Sequence, residues 1–376
     1  MSRGRMIFHA PYVVGSSGTS ASRVRPHKML LAFRSEGWDV FDLSGSPAER
    51  RERFRELRRL IGLGECFDFL YSESSTQPNS LAMSVKSGFA PLLEPRIFRF
   101  VRKSGISCGV FYRDIHWRFP SLRGEGSPIW RSVIQFLQRF DLLVYRLLGV
   151  KLFVPSLEMV KYLPPYSPKN ALALPPGMDE FGDSRVSESG ELAIGYVGAI
   201  GPNYRIQSLL EAVSGVEGIT LDVSLPSDVW NSVSDEYSAL MGPNVRLQHL
   251  RHDELGTLYA GTQIGAIVVE PSEYWKFAVP AKLFEYIGWG MGIIVSSGTL
   301  AARLVDEMGV GWVVESEVAE IRKLLEYLRD HPEEVERVRQ VSMSLRADHT
   351  WASRARAVVK ELAPGKSMDR DYSDCA

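Results

Sequence analysis

The chain has 376 residues, of which 45% are apolar and 24% charged, so it is long enough for two domains and can bury a core in each. These values exclude a mainly disordered chain, and because no uncharged apolar run reaches about 18 residues we predict no transmembrane helix. The net charge of −1 is unevenly divided, since residues 1–175 contain 26 Lys and Arg against 14 Asp and Glu, whereas residues 176–376 contain 18 against 31; this predicts two domains with different partners.

The first half of the chain alternates strand-like and helix-like patterns. It opens with the apolar run 5–14, which suits a buried parallel strand, and a loop rich in Gly and Ser leads into a helical pattern over Val24–Ser35. Further strands are predicted at 38–43, Phe67–Tyr71, Ile106–Tyr112 and Val150–Val154. This alternation predicts an open, doubly wound α/β sheet in an N-terminal domain over residues 1–175.

A boundary follows, because Pro175, Pro176 and Gly177 break any helix and a polar, loop-like segment comes after them. A second series of strands is then predicted at 192–200, Ile219–Val223, Val245–His249, Ile264–Val269, Gly292–Ser296 and Gly311–Val314. Helical patterns lie between them at Ile206–Val213, His252–Ala260, Ala281–Trp289, Thr299–Glu307 and Ser316–Asp330. The second half therefore predicts another α/β domain of similar size.

We place this second domain at residues 176–350. A C-terminal helix is expected over 351–363, with packing back on the first domain as one arrangement, and a disordered tail over 364–376. Two open α/β sheets that face one another leave a cleft between the C-terminal ends of their strands, which is where ligands bind in this architecture.

The three cysteines are Cys66, Cys108 and Cys375. They form no CxxC motif and no cluster with histidine, so we expect a reducing cytoplasm and no structural metal.

The most informative stretch is Pro280–Val295, where Glu285 interrupts an apolar helical run and Lys282 lies three residues before it. That spacing puts both side chains toward one face of a helix. Because the helix precedes a strand, its N-terminal end lies on the ligand side of the sheet, where backbone amides attract phosphate. The lysine and the helix start suit a diphosphate, and the carboxylate suits two ribose hydroxyls; a common surface Lys–Glu pair is the alternative.

This stretch resembles the donor-site motif P-x-K-x-x-E-Y of GT-B glycosyltransferases of the family 4 type. Other segments resemble the family's landmarks in the same order, namely Leu174–Asp179, Ile194–Arg205, Val245–Tyr259, Gly261–Glu270 and Thr299–Val314. The resemblance covers nearly all of residues 170–330 and is specific as an ordered set. It implies the GT-B architecture, in which two Rossmann-like, doubly wound α/β domains face a cleft and the C-terminal domain binds the nucleotide-sugar donor.

The resemblance also implies an activity, transfer of a sugar from a nucleotide-sugar to a cell-surface polysaccharide or lipid-linked glycan. The family implies retention of anomeric configuration, with no metal and no other cofactor. Two departures from its pattern keep alternatives open: Phe277 stands where the family has a Glu eight positions before Glu285, and Ala199 stands where it often has Arg. One alternative is a non-catalytic GT-B protein that binds nucleotide or glycan. The other is a nucleotide-sugar epimerase.

The donor-binding residues in the second half are expected to be Gly198, Arg205, Lys282 and Glu285. Arg205 and Lys282 would neutralise the departing diphosphate, which also makes Lys282 catalytic. Glu285 would bind ribose. For Arg205 the alternative is a solvated charge at a helix start.

In the first half, Gly15 and Gly18 of the loop after the first strand are predicted to let the backbone approach the donor, although a tight turn without a ligand would need the same residues. Asp114 and His116 follow the strand at 106–112 and are the other predicted catalytic residues. His116 would position the donor sugar or assist the acceptor hydroxyl, and Asp114 would orient it or act as the base; a structural histidine and a turn-forming aspartate are the alternatives.

The basic first half also suggests a membrane partner. One helical run carries six arginines, namely Arg50, Arg51, Arg53, Arg55, Arg58 and Arg59. A second run carries Arg96, Arg99, Arg102 and Lys103, and a third, Ile129–Val150, is apolar with three arginines. Basic amphipathic helices of this kind lie on anionic lipid, so we predict a cytoplasmic protein bound peripherally to the inner membrane face, with solvated faces over a core as the alternative. No nucleic-acid motif accompanies the charge, and nucleic acid is not expected as a partner.

Overall fold

The computed structural model describes residues 3–15, 21–83, 89–119, 127–163, 166–179, 182–184, 190–201 and 204–366. The chain divides into two compact units. Unit 1 comprises residues up to 175 together with residues from 351 onward, and unit 2 comprises residues 176–350.

Unit 1 is built on one parallel sheet of six strands in the order β2-β1-β3-β4-β5-β6. The strands are β1 Gly4–Ala10, β2 Trp38–Ser44, β3 Phe69–Glu73, β4 Ser107–Phe111, β5 Lys151–Val154 and β6 Ala171–Ala173. The helices are α1 Ala21–Ser35, α2 Pro47–Gly62, α3 Leu93–Lys103, α4 Pro128–Leu147 and, from the end of the chain, α12 Trp351–Leu362. The central strands are apolar on both faces, as covered parallel strands require.

The helices of unit 1 cover both faces of its sheet. Met6 and Phe8 of β1 belong to the core under α1 and α12, which pack on each other. The next residue, His9, points to the opposite face and meets Phe98 of α3 at a ring distance of 5.6 Å. On that face α3 lies between α2 and α4, with Phe98 against Tyr145 of α4.

Unit 2 repeats the plan with the strand order β12-β11-β10-β7-β8-β9. Its strands are β7 Leu192–Val197, β8 Ile219–Ser224, β9 Val245–Gln248, β10 Ile264–Ile267, β11 Gly292–Ser296 and β12 Gly311–Val314. Its helices are α5 Gln207–Val213, α6 Ser227–Tyr237, α7 Leu255–Ala260, α8 Ala281–Gly288, α9 Leu300–Met308, α10 Val318–Asp330 and α11 Pro332–Ser344. The pairings between these strands are all parallel. The strand order reverses between β7 and β10, which makes the carboxyl ends of these two strands the ligand position of a doubly wound sheet.

The elements differ from the sequence-based expectations at a few places. β1 stops at Ala10, four residues before the predicted end, because Pro11 has no backbone N–H for a ladder. Two elements were not predicted. The strand β6 has only three residues, too few to show a period, and in α6 the apolar residues Val229, Trp230, Val233 and Tyr237 are interspersed with polar ones. Pro364–Lys366, at the start of the predicted disordered tail, forms a 3-10 turn, and the rest of that tail lies outside the described residues.

The prediction that Arg50 belongs to a membrane-facing surface is wrong. Arg50 is only 1% exposed, and its guanidinium pairs with the buried carboxylate of Glu94 at 2.8 Å from Nη2 to Oε1. It also donates to the carbonyl oxygen of Gly45. Arg50 therefore stabilises the packing of α2 on α3, and its charge is not available to an external surface. None of the described helices combines the length and the apolar character needed to cross a membrane.

Candidate active site

The carboxyl ends of β7 and β10 bring together two of the residues that were predicted to bind a donor, Gly198 and Arg205, in unit 2. Gly198 directly follows β7, and its amide donates to the carbonyl oxygen of Ser224 at 3.1 Å. Arg205, further along the same loop, lies with Nη1 3.9 Å from Oε1 of Glu270, which follows β10. The Arg205 side chain is 49% exposed and the Glu270 side chain 65%, so this pair is weak and leaves the guanidinium accessible to a stronger anion.

Helix α8 is fixed against these two strands by Tyr286. The hydroxyl of Tyr286 accepts a hydrogen bond from the amide of Val197, the last residue of β7, at 3.3 Å. The ring of Tyr286 lies over Gly265 of β10 so closely that a Cβ there would be 2.3 Å from a ring carbon. Only glycine allows this contact, which holds α8 beside the point where the strand order reverses.

Lys282 and Glu285 form one hydrogen-bonded cluster with Tyr259 of α7. Lys282 Nζ donates to Glu285 Oε2 at 2.5 Å and to Tyr259 Oη at 3.1 Å. Tyr259 Oη donates to the same Glu285 oxygen at 2.8 Å. Within the described part of the chain no hydrogen bond reaches Glu285 Oε1, which leaves that oxygen for a ligand hydroxyl.

The electrostatics of the cluster keep Glu285 ionised. Burial by itself would raise the pKa of Glu285, but the charge of Lys282 and the hydrogen bonds from Lys282 and Tyr259 outweigh it and hold the pKa below its usual value. Burial, and then the Glu285 charge, raise the pKa of Tyr259 well above its usual value, so its hydroxyl remains a donor. A part-buried cluster of this kind differs from the solvated surface pair that was the alternative.

The N-terminus of α8 supplies a second feature for an anion. The N-cap position is Pro280, which makes no side-chain capping bond, and the first turn contains no acidic residue. Backbone amides at such an end, with Lys282 in the first turn, favour a bound phosphate. The helix start and Glu285 would together accommodate the diphosphate and sugar portions of a nucleoside diphosphate.

Phe277 occupies the position at which the resemblance leads one to expect a glutamate. Its side chain is 2% exposed and packs against Tyr274 at a ring distance of 5.2 Å. The neighbouring Trp275 meets Tyr204 of the loop after β7 edge to face at 5.3 Å. The segment between β10 and α8 is therefore held by aromatic packing where a carboxylate would otherwise stand.

In unit 1 the predicted pair Asp114 and His116 lies just beyond the carboxyl end of β4. Asp114 Oδ2 is 2.9 Å from His116 Nε2, and Asp114 Oδ1 accepts the amide of Ile115 at 2.6 Å. The turn that carries the histidine is anchored by Trp117, whose Nε1 donates to the buried hydroxyl of Tyr112 at 3.0 Å. The imidazole is partly exposed on an anchored turn, as a group that meets substrate must be.

The Asp114–His116 contact gives a pH-dependent prediction. Burial lowers the pKa of His116, but the Asp114 hydrogen bond and charge raise it more, so the folded value lies above the ordinary 6.5. The stabilisation from this pair is complete below the unfolded pKa and is lost as pH rises through the folded pKa. We expect Asp114→Asn to lower the His116 pKa in an NMR titration, whereas Asp42→Asn should leave it unchanged; equal pKa values in all three proteins would contradict the assigned contact.

A polar cluster at the same edge of unit 1 was not predicted. Glu73, the last residue of β3, is fully buried and accepts hydrogen bonds from Arg25 Nε at 3.1 Å and from Tyr71 Oη at 2.6 Å. Arg113 lies 3.6 Å from its other oxygen and donates to Tyr12 Oη at 3.0 Å. Arg25, in the first helix after the first loop, is thus committed to Glu73. The sequence offered one weak signal for this cluster, a glutamate that ends an apolar strand.

For the two glycines predicted to approach the donor in unit 1, the described residues show no contact that supports this role. Gly15 is exposed, and Gly18 lies outside the described residues. In the described segments no group of three or more His, Cys, Asp or Glu side chains is placed to hold a metal ion.

Comparisons with known proteins agree with this arrangement. Residues 205–360 match the family model described as "Glycosyl transferase-like". The solved structure of sucrose-phosphate synthase (tll1590) from Thermosynechococcus elongatus is similar with a TM-score of 0.64 at 12% identity, covering 95% of this chain and 98% of that chain. Anabaena Alr3699/HepE in complex with UDP gives 0.62 at 10% identity, over 96% of this chain and 100% of that chain.

A putative UDP-N-acetylglucosamine 2-epimerase from Listeria monocytogenes is also similar, with a TM-score of 0.55 at 11% identity over 97% of this chain and 98% of that chain. No curated protein matches the chain in sequence. At these identities the structures establish the fold, while the family model adds the glycosyltransferase likeness. The predicted resemblance to GT-B glycosyltransferases and the predicted pair of Rossmann-like α/β domains are confirmed, with the likeness to glycosyl transferases in sequence extending over residues 205–360.

Proposed function

We propose that the protein transfers a sugar from a nucleotide-sugar donor to a glycan or lipid-linked acceptor. The observation that carries the proposal is the Tyr259–Lys282–Glu285 cluster at the uncapped start of α8, beside the point where the strand order of unit 2 reverses. That position is where doubly wound sheets bind nucleotides. The family match over residues 205–360 includes α7 and α8, the two helices that carry this cluster.

In the proposed reaction the bond from the anomeric carbon to the donor diphosphate breaks, the acceptor hydroxyl oxygen bonds to that carbon, and the hydroxyl proton passes to the departing diphosphate or to solvent. Negative charge builds on the leaving phosphate as the first bond breaks. Lys282 and the amides at the start of α8 face that charge, and Arg205 adds a second cation from the loop after β7. Glu285 holds the ribose hydroxyls through its open oxygen. His116 positions the donor sugar or assists the acceptor hydroxyl, with Asp114 as its orienting partner.

Retention of configuration and independence from metal belong to this proposal, as does a location in the cytoplasm. They are supported by the family resemblance and by the supply of cations from the chain's own Lys282 and Arg205. The epimerase is the second candidate, because one similar structure carries that name. A non-catalytic nucleotide-binding role is the third, because Phe277 replaces a polar donor contact.

Nucleotide binding tests the ribose assignment. We expect UDP or GDP to bind wild-type protein in isothermal titration calorimetry, and Glu285→Gln to weaken binding, because the amide is uncharged and can no longer accept from Lys282 and both ribose hydroxyls. The loss should be about 1–3 kcal/mol, roughly 5- to 150-fold in Kd. Glu307→Gln, an exposed glutamate of α9 paired only at the surface, is the matched control. Equal affinity in a folded Glu285→Gln protein would refute the assignment.

Product analysis then separates the three candidates. A transferase releases nucleoside diphosphate from a nucleotide-sugar in the presence of acceptor. An epimerase interconverts the sugar while the nucleotide stays attached or is released by elimination without acceptor. Binding without either product, over a panel of nucleotide-sugars and lipid extracts, would leave the non-catalytic role.

A further inference from the structure

Helix α4 of unit 1 has the reverse of the usual polarity for a helix that covers a sheet. Its inward face is anchored by polar groups. Gln138 accepts from Tyr112 Oη at 2.5 Å, Asp141 accepts from the amide of Asn79 at 2.9 Å, and Tyr145 Oη accepts from Asn79 Nδ2 at 2.5 Å. All of these side chains are buried.

The outward face of α4 is apolar instead. The exposed large side chains with helical spacing on this face are Ile129, Val133, Phe136, Leu143 and Leu147. Their spacings of four, three, seven and four residues keep them on one stripe along the helix. Ile129 is 79%, Phe136 67% and Leu147 74% exposed, so this is a continuous apolar row and not a set of isolated surface residues.

The charges around the row have one sign. The exposed charged residues of α3 and α4, two helices that lie wholly within the described residues, are Arg96, Arg99, Arg102, Lys103, Arg131, Arg139 and Arg146. The only acidic residues of these helices, Glu94 and Asp141, are buried. Since α3 packs beside α4, an apolar row is bordered by basic side chains with no exposed carboxylate on either helix.

We propose that this face of unit 1, formed by the outward sides of α3 and α4, docks on an anionic lipid membrane. The apolar row enters the boundary between headgroups and acyl chains, and the arginines contact lipid phosphates. An apolar stripe with a basic border is the pattern of helices that lie in the membrane interface. A second copy of the chain fits less well, because a face-to-face dimer would bring the two sets of arginines together. The inference does not rest on sugar transfer, because it is carried by surface side chains outside the candidate active site.

The test is co-sedimentation of the full chain with vesicles in the absence of nucleotide. We expect binding to vesicles of phosphatidylcholine with one third phosphatidylglycerol, and little binding to phosphatidylcholine alone. Phe136→Ser with Leu143→Ser should reduce the partition coefficient by about tenfold or more, because two apolar side chains no longer enter the bilayer. The matched control is Leu31→Ser with Tyr327→Ser, which removes two exposed apolar side chains from other surfaces of the molecule.

Salt separates the electrostatic contribution to vesicle binding from the apolar contribution. Raising NaCl from about 0.05 to 0.5 M shortens the Debye length and should weaken wild-type binding, whereas the difference between wild type and the Phe136/Leu143 variant should persist. Equal binding of the α4 and control variants would overturn the proposal. A concentration-dependent dimer, seen by sedimentation velocity without lipid and abolished by the α4 substitutions, would also overturn it in favour of self-association.

Discussion

Replacing Lys282 with alanine is expected to lower turnover by a factor of about 10²–10³, because the ammonium faces charge that develops on the leaving diphosphate. Removing it also deprives Glu285 of its closest cation, so the pKa of Glu285 should rise in the variant. The measurement is release of nucleoside diphosphate at saturating donor, once a donor has been found. Lys282→Arg retains the charge and should recover part of the rate.

The matched control for this change is Lys276→Ala. Lys276 is exposed in the segment before α8 and pairs with Glu273 at the surface, so its loss should leave turnover within about twofold. A Lys282→Ala enzyme that is folded and fully active would remove the lysine from the reaction, even if nucleotide still binds. In that case Arg205 and the α8 amides would have to supply the stabilisation.

Arg50→Ala is expected to produce the largest loss of stability. Glu94 would keep its buried position without the guanidinium that pairs with it, and breaking such a pair from one side costs about 3–5 kcal/mol. Urea unfolding followed by circular dichroism should show an earlier transition for unit 1. Arg51→Ala, one residue along α2 and exposed, should change the free energy of unfolding by less than about 0.5 kcal/mol.

The pH dependence of this loss has a defined sign. Burial raises the pKa of Glu94, and the Arg50 charge opposes that rise. Without Arg50 the folded pKa lies further above the unfolded value, so the penalty grows as pH rises above the unfolded pKa of about 4.3 and shrinks as pH falls and the carboxyl protonates. A deficit in unfolding free energy that is equal at pH 5 and pH 8 would contradict the buried pair, as would Arg50→Ala and Arg51→Ala proteins of equal stability.

The apolar periods of the sequence were sufficient to predict the α/β alternation of both units, because strand and helix spacing is a local property of the chain. Gly292–Ser296 and Gly311–Val314 form the predicted strands without change, and the C-terminal helix Trp351–Leu362 ends one residue before its predicted end. The proximity of Lys282 and Glu285 could be predicted for the same reason, since residues three apart on a helix are neighbours. Tyr259 could not be assigned to them, because it is brought there from α7 by the packing of α7 and α8.

The role of Arg50 shows a second limit on what can be predicted from sequence. Six arginines in one helical run look equivalent in sequence, and only the position of α3 reveals that one of them turns inward to Glu94, 44 residues away. The same applies to Arg25, which pairs with Glu73 48 residues away. A charge is a surface feature or a core feature according to which partner the fold brings within reach.

From the sequence alone we could predict most of the succession of strands and helices along the chain, the ordered glycosyltransferase-like motifs, and the helical spacing of Lys282 and Glu285. The tertiary structure decided which side of each helix is buried. In α4 the apolar residues recur with helical period whether they face the sheet or the solvent, so the pattern predicts a helix but not its orientation. The hydrogen bonds of Gln138, Asp141 and Tyr145 settle that orientation, because buried polar groups must find partners, and they leave the apolar row outside.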